Sequence, residues 1–136
     1  MENTTSCFIT TLEKEGYLLS KVRSGAEIGL AEAKENSAIV SGLSAGDIYP
    51  ILVDIRTIKS ISKEARDHFA MRDREPGVSA IAMLVASPVS RIIGNFFLGL
   101  NRPAVPTRMF SSNEDALNWI KKRIREKQVG ADERHA

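Results

Sequence analysis

The sequence predicts an α/β fold, with a mostly parallel sheet, an N-terminal antiparallel hairpin and helices packed against the sheet. Two continuous apolar runs, residues 49–55 and 78–86, are typical of central strands that are covered on both faces. Residues 62–70 have a helical pattern and lie between these runs, and this order implies a right-handed crossover that joins two parallel strands. The elements follow one another in the order ββαβαβαβα, which is typical of a layered α/β domain.

The N-terminal hairpin is predicted from residues 7–12 and 17–22, which are rich in β-branched and aromatic side chains and flank a short polar break. A helix is expected over residues 30–43, where good helix formers are concentrated. Gly42 and Gly46 are expected to end this helix, since glycine is common near helix C-termini. The face predicted to be buried consists of Leu30, Ala33, Ala38 and either Ile39 or Val40.

The helix predicted over residues 88–100 has the clearest sequence signals. Ser87 is placed to cap it, and Pro88 occupies the first helical position, where its missing N–H removes no hydrogen bond. Residues 101–103 should end the helix, because the residue before a proline avoids the α conformation. The apolar stripe expected to face the core is Val89, Ile92, Ile93, Phe96, Phe97 and Leu100.

A short strand at residues 107–110 and a last helix complete the predicted order. Ser112, with Asp115 three residues later, resembles a capping box that opens this helix. The apolar residues expected on one side of it are Leu117, Ile120 and Ile124. Residues 128–136 have no apolar periodicity, so a frayed, flexible tail is expected there.

The composition fits one ordinary domain, residues 1–136, expected to be ordered over about residues 6–126. The 19 basic and 17 acidic side chains leave a net charge of +2, which does not favour nucleic-acid binding. With one cysteine, Cys7, and two histidines, we expect neither a zinc site nor any cofactor. We find no signal-peptide pattern and no apolar run near the ~20 residues of a membrane span, so we expect a cytoplasmic protein that binds no membrane.

No catalytic constellation emerges, and we expect no enzymatic activity. Residues 42–46 match the G-x-S-x-G nucleophile pattern, but a helix precedes them and a strand follows, which reverses the order that the motif requires. A helix-ending turn is therefore the preferred interpretation. His68, beside Asp67, would act as a general base only with a suitable group in reach, and a surface or half-buried helix residue is the preferred interpretation. The basic residues 121–127 suit the negative end of a helix dipole.

One long segment, residues 76–113, contains no acidic residue but three arginines, at positions 91, 102 and 108. An arginine fork binds both oxygens of a carboxylate or phosphate, which suggests a site for a small ligand, apolar or anionic, beside helix 88–100. The alternative is that these arginines pair with acidic residues of neighbouring helices or of a partner subunit. The residues expected at the ligand site are Arg91, Asn95, Asn101 and Arg102.

We also expect self-association as a homodimer through the same helix face. Leu98 projects away from the apolar stripe, beside Arg91 and Asn95, where a monomer would favour a polar residue. Gly94, which has no side chain, would let a second backbone approach closely. The hairpin also adds an edge strand that needs covering. The alternative is that Leu98 is an ordinary exposed leucine.

Five segments carry a resemblance to a known family, and they span nearly the whole chain. They are Leu52–Arg56, Ser62–Arg66, Ser87–Pro103, Pro106–Phe110 and Glu114–Ile120. Together they resemble an uncharacterised bacterial group described as STAS/SEC14-like or SpoIIAA-like, and residues 95–103 are the most specific part. The resemblance implies a SpoIIAA-like fold and a non-enzymatic regulatory module that acts through protein–protein contacts. Such a module should expose an apolar patch, whereas a ligand-binding protein should enclose a pocket with convergent polar groups.

The resemblance also bears on regulation. In anti-sigma-factor antagonists of this fold, a phosphorylatable serine opens the helix after the central strand, within an Asp-Ser pattern. Residues 60–63 of this chain read Ser-Ile-Ser-Lys, and the best alignment places Lys63 at the phosphorylated position. Ser60 and Ser62 are the local candidates, and Ser62 has a sufficient role as a helix cap. We therefore expect no phosphorylation switch at this helix start.

Overall fold

The computed structural model describes the backbone of residues 2–70, 77–100 and 105–135 and the side chains of residues 5–70, 77–100 and 105–126. The strands are β1 (Glu2–Thr4), β2 (Phe8–Glu13), β3 (Tyr17–Val22), β4 (Glu27–Ile28), β5 (Tyr49–Asp54), β6 (Ser60–Ile61), β7 (Val78–Leu84) and β8 (Thr107–Phe110). The helices are α1 (Leu30–Ser44), α2 (Lys63–Ala70), α3 (Pro88–Leu98) and α4 (Asn113–His135).

Six strands form one sheet in the order β1-β2-β3-β5-β7-β8. The pairs β1–β2 and β2–β3 are antiparallel, whereas β3–β5, β5–β7 and β7–β8 are parallel. The two apolar runs of the sequence are thus neighbouring parallel strands in the interior of the sheet, which confirms that prediction. The short strands β4 and β6 pair with each other in a separate parallel ribbon that the sequence pattern does not predict.

Both faces of the central strands are covered, as their continuous apolar character predicts. Leu52 of β5 packs with Ala82 and Leu84 of β7 against Ala116 and Ile120 of α4. Residues of the opposite parity point to the other face, because successive side chains in a strand alternate. That face is covered by α1, α2 and α3, and the buried residues that these helices contribute are Ala33, Val40, Ala65 and Ile93.

Three helices begin with the serine caps that the sequence predicts. The Ser62 hydroxyl oxygen accepts the Ala65 N–H at 3.1 Å, and that of Ser87 accepts the Ser90 N–H at 3.0 Å. Ser112 accepts the N–H of Asp115 at 3.3 Å. Each serine satisfies a backbone donor that the first turn of a helix cannot pair internally.

Helix α1 differs from its prediction at its end and on its buried face. It continues through Gly42 and ends at Ser44, followed by left-handed backbone at Ala45 (φ 49°) and Gly46 (φ 83°). Ala33 and Val40 are buried as predicted, whereas Leu30 and Ala38 are exposed. The other buried residues are polar or small, namely Asn36, Ser37 and Ser44. Polar side chains are tolerated there because they form hydrogen bonds inside the protein.

Helix α3 is rotated relative to its predicted orientation. Its buried residues are Ser90, Ile93 and Gly94, whereas Ile92 is 70% exposed and Phe96 is only half-buried. The cause is the close approach that small residues allow. A Cβ atom on Gly94 would lie 2.6 Å from Met109 Sδ and 3.2 Å from Val85 Cγ1, so the helix is closest to the sheet at this glycine.

Helix α4 also extends further than predicted, because its backbone remains helical to His135 across residues expected to form a frayed tail. Residues 125–128 and 131–134 are mostly good helix formers, which propagate a helix beyond the part that packs on the sheet. None of the helices in residues 2–70, 77–100 and 105–135 combines the length and the apolar character needed to cross a lipid bilayer.

The orientation of α3 predicts opposite outcomes for the same substitution at adjacent residues. Ile93→Ala should lower the free energy of unfolding by about 2–5 kcal/mol, because it leaves a cavity in the core. Ile92→Ala should change it by less than about 0.5 kcal/mol, because this side chain is mostly in solvent. Urea denaturation of both variants checks this, and equal losses of stability would contradict the orientation.

Candidate functional site

A cavity of about 160 Å³ lies between the sheet and helices α1, α2 and α3. Its size is close to that of engineered core cavities of about 150 Å³, which stay dry and bind benzene. Apolar side chains supply most of its wall. They include Ile51, Val53, Ile81 and Met83 of the sheet, Phe69 of α2, and Ile93 and Phe97 of α3.

The polar part of the wall is small and uncharged. It consists of Ser20, Asn36, Ser37 and Thr107, and none of the described residues that line the cavity is ionisable. The Thr107 hydroxyl donates to the Val105 carbonyl oxygen at 3.1 Å, which leaves the first three residues as one polar region beside α1. A charged group would lose its hydration here without gaining a counter-ion, so the cavity suits neutral occupants.

A closed ring of hydrogen bonds joins α1 to strands β2 and β3. The Thr10 hydroxyl donates to Asn36 Oδ1 at 2.7 Å, and Asn36 Nδ2 donates to Ser20 Oγ at 3.1 Å. The hydroxyl oxygens of Ser20 and Thr10 are 3.0 Å apart. Since the single hydroxyl hydrogen of Thr10 is used on Asn36, Ser20 is the donor in this third bond. All three side chains are buried.

A second polar contact joins α1 to α2, where Ser37 Oγ and His68 Nε2 lie 3.0 Å apart. This is the distance that a nucleophile and its general base require. However, Ser37 lies in the middle of α1, where backbone N–H groups are used in the helix and none is free to bind an oxyanion. The contact therefore serves as a tether between two helices, with His68 half-buried.

The structure separates two of the predicted ligand residues, Arg91 and Asn95, from this cavity. Arg91 and Asn95 lie on the exposed side of α3, whereas Ile93 and Phe97 of the same helix line the cavity. Asn101 and Arg102 lie outside the described residues. Within the part of the chain that the structure describes, Arg91 pairs with no carboxylate.

The two residues predicted for self-association lie in different environments. Gly94 lies on the buried side of α3, where its missing side chain makes room for Met109 of the same chain. It is therefore not at the surface where a second backbone was expected to approach. Leu98 does lie at the surface, as the sequence predicts.

An ion pair at the carboxyl end of β5 has no counterpart in the sequence predictions. Arg56 Nε and Nη2 donate to the two carboxylate oxygens of Asp54 at 3.1 and 2.9 Å, and the Arg56 backbone N–H also donates to Asp54. The hydrogen bonds that the guanidinium of Arg56 donates to Asp54 raise the pKa of Arg56. The buried carboxylate is satisfied by one neighbour, so the pair fixes the turn after the strand.

The hydrogen-bonded ring, two of whose members line the cavity, was missed because nothing in the local sequence marks its residues. Thr10, Ser20 and Asn36 lie on three separate elements and meet only in the folded chain. The available signal was the presence of Asn36 and Ser37 in the middle of a predicted helix, where asparagine and serine are unfavourable without a structural role. No cluster of three or more metal-ligand side chains occurs among the described residues.

The family model named Domain of unknown function (DUF7793) matches residues 10–124. A protein of unknown function from Arthrobacter sp. FB24 is 36% identical, with 82% of this chain and 96% of that chain covered and a TM-score of 0.33. No curated protein matches the sequence.

Two further solved structures are similar in fold. One is an uncharacterised protein of the DUF3478 family from Shewanella loihica PV-4, with a SpoIIAA-like fold. It is 18% identical over 88% of this chain and 98% of that chain, with a TM-score of 0.65. The other is the anti-sigma factor antagonist SpoIIAA in its unphosphorylated form, at 15% identity, coverage of 84% and 97%, and a TM-score of 0.58. The predicted SpoIIAA-like fold is confirmed.

The start of α2 is the place where a phosphorylated serine was considered. Ser60 is exposed in β6, Ser62 caps the helix, and Lys63 forms a surface ion pair with Asp67 at 3.1 Å. The absence of a phosphorylation switch stays a prediction.

The cap role of Ser62 is open to a direct test. Ser62→Ala should lower the free energy of unfolding by about 1 kcal/mol, because the Ala65 N–H loses its acceptor. Ser60→Ala, a neighbouring control outside the cap, should change it by less than about 0.5 kcal/mol. Chemical denaturation compares the two variants, and a larger effect at Ser60 would contradict this assignment.

Proposed function

The chain belongs to the DUF7793 family, and we propose that it is a non-enzymatic binding module of the SpoIIAA-like type whose core cavity takes up a small apolar molecule. The observation that carries this proposal is the cavity of about 160 Å³ between the sheet and helices α1 to α3. Its apolar wall and few polar groups are the features expected of a small-molecule site.

The energetic cost of an empty cavity supports the proposal. Apolar wall surface in contact with water is unfavourable by roughly 25 cal/mol per Å², and an apolar occupant would remove that contact. Water gains little in so apolar a space, whereas an apolar molecule restores the lost packing contacts.

The size of the cavity limits its occupant to one ring or a short branched chain. Phe69 of α2 and Phe97 of α3 lie edge to face, with ring centroids 6.4 Å apart, and both line the cavity. An occupant would therefore contact two helices and the sheet at once. Binding would therefore stabilise the packing of α2 against α3.

We expect toluene to bind wild-type protein and to shift the amide resonances of cavity-lining residues in two-dimensional NMR spectra. Val53→Phe should weaken this binding at least about tenfold, because the larger side chain occupies part of the cavity. Val89→Phe is the matched control, since Val89 is exposed on α3 and lines no part of the cavity.

This control should bind toluene as wild type does. A wild-type protein whose spectrum does not change at saturating toluene would refute the proposed ligand-binding function. Equal binding by wild type and Val53→Phe would place the bound toluene somewhere other than the cavity.

A second candidate function is contact with a protein partner through the exposed side of α3. Three of the five large apolar side chains exposed in the described residues belong to this helix, namely Val89, Ile92 and Leu98. Exposed apolar side chains concentrated on one helix favour the regulatory module that acts through protein–protein contacts. The partner that we propose is a second copy of the chain.

Leu98→Glu should weaken the proposed homodimer, as measured by sedimentation, and leave the circular dichroism spectrum unchanged. A symmetric interface uses the same patch on both copies, so each substitution introduces two buried charges per dimer. Leu30→Glu, an exposed leucine outside α3, is the matched control and should associate as wild type does. A wild type that stays monomeric at high micromolar concentration would contradict the homodimer.

A further inference from the structure

The polar wall of the cavity has one hydrogen-bond donor for which the described residues supply no acceptor. An asparagine amide carries two N–H donors, and in the described residues Asn36 Nδ2 makes one hydrogen bond, to Ser20. Asn36 is 5% exposed and lines the cavity, so a molecule in the cavity is placed to supply the missing partner. A buried donor without a partner is costly, and it attracts any acceptor placed beside it.

Each acceptor of the same region already has one hydrogen bond. Asn36 Oδ1 accepts the Thr10 hydroxyl, and Ser20 Oγ accepts the Asn36 amide while donating its own hydrogen to Thr10. Ser37 Oγ is paired with His68. An oxygen that already has one hydrogen bond tolerates an unused lone pair better than an amide tolerates an unpaired N–H, so the wall favours a ligand that accepts a hydrogen bond.

From this geometry we infer that the ligand is a neutral, ring-sized apolar molecule with one hydrogen-bond acceptor, of the carbonyl type, bound to the free N–H of Asn36. This inference rests on the proposed ligand-binding function and adds the chemical class of the ligand. Charged ligands such as carboxylates are excluded, because none of the described lining residues carries a charge to pair with them. The apolar remainder of the ligand would contact Val53, Ile81 and Phe97.

The test compares cyclohexanone with methylcyclohexane, which share a ring and a count of non-hydrogen atoms but differ in the carbonyl oxygen. Affinities are measured by NMR titration for wild type and for a triple variant, Thr10→Val/Ser20→Ala/Asn36→Leu. The triple variant removes the whole hydrogen-bonded ring, so no buried partner is left unsatisfied. Comparison of the two affinity ratios cancels the different hydration of the two ligands.

We expect the ratio of the cyclohexanone affinity to the methylcyclohexane affinity to fall about tenfold from wild type to the triple variant, the effect of one lost hydrogen bond. A second measurement requires no variant. One side-chain amide proton of Asn36 should shift downfield when cyclohexanone binds wild-type protein, and methylcyclohexane should leave it in place.

An unchanged affinity ratio, or an Asn36 amide proton that does not respond to bound cyclohexanone, would overturn the inference and leave the proposed function standing. Failure of both molecules to bind wild type would overturn the inference together with the proposed function. A downfield shift of the Asn36 proton with cyclohexanone alone supports the inference even if the triple variant does not fold.

Discussion

The hydrogen-bonded ring of Thr10, Ser20 and Asn36 is the interaction on which the arrangement of the core depends. Helix α1 turns small and polar side chains toward the sheet, and such side chains cannot fill the space that larger apolar residues would occupy. The ring holds the helix against β2 and β3 by directional bonds instead. Loss of one member would leave the other two with unpaired polar groups in an apolar environment. The three side chains therefore stabilise the core as one unit. The cavity is the space that this mode of attachment leaves open.

Helix α3 presents two different apolar surfaces, one inward and one outward. Ile93 and Phe97 face the cavity, and Phe97 contacts the half-buried Phe96, with ring centroids 5.1 Å apart. The guanidinium of Arg66 on α2 lies 5.2 Å from the centre of the Phe96 ring, in a cation–π contact. Aromatic and guanidinium contacts therefore connect the cavity-lining Phe97 through Phe96 to Arg66 of α2. Both candidate functions use α3, one through its inward side chains and the other through its exposed ones.

Local signals in the sequence predict much of the fold. The continuous apolar runs of β5 and β7 and the caps Ser87 and Ser112 depend only on neighbouring residues, and each is found in the structure as expected. The orientation of a helix depends instead on what lies beneath it. The stripe predicted for α3 placed Ile92 in the core. The actual orientation depends on the contact of Gly94 with Met109, which a local sequence pattern cannot show because the two residues belong to different elements. The polar wall of the cavity was unpredictable for the same reason.

The cavity also has a mechanical consequence. A void of 160 Å³ per molecule corresponds to about 100 mL per mole, and the volume decrease on unfolding scales with the void that unfolding eliminates. The volume decrease on unfolding is therefore large for the empty form. This form should unfold at lower pressure than a closely packed domain of equal thermal stability. A molecule that fills the cavity reduces this volume decrease. Pressure thus distinguishes the empty form of the protein from the occupied form through the volume change of unfolding.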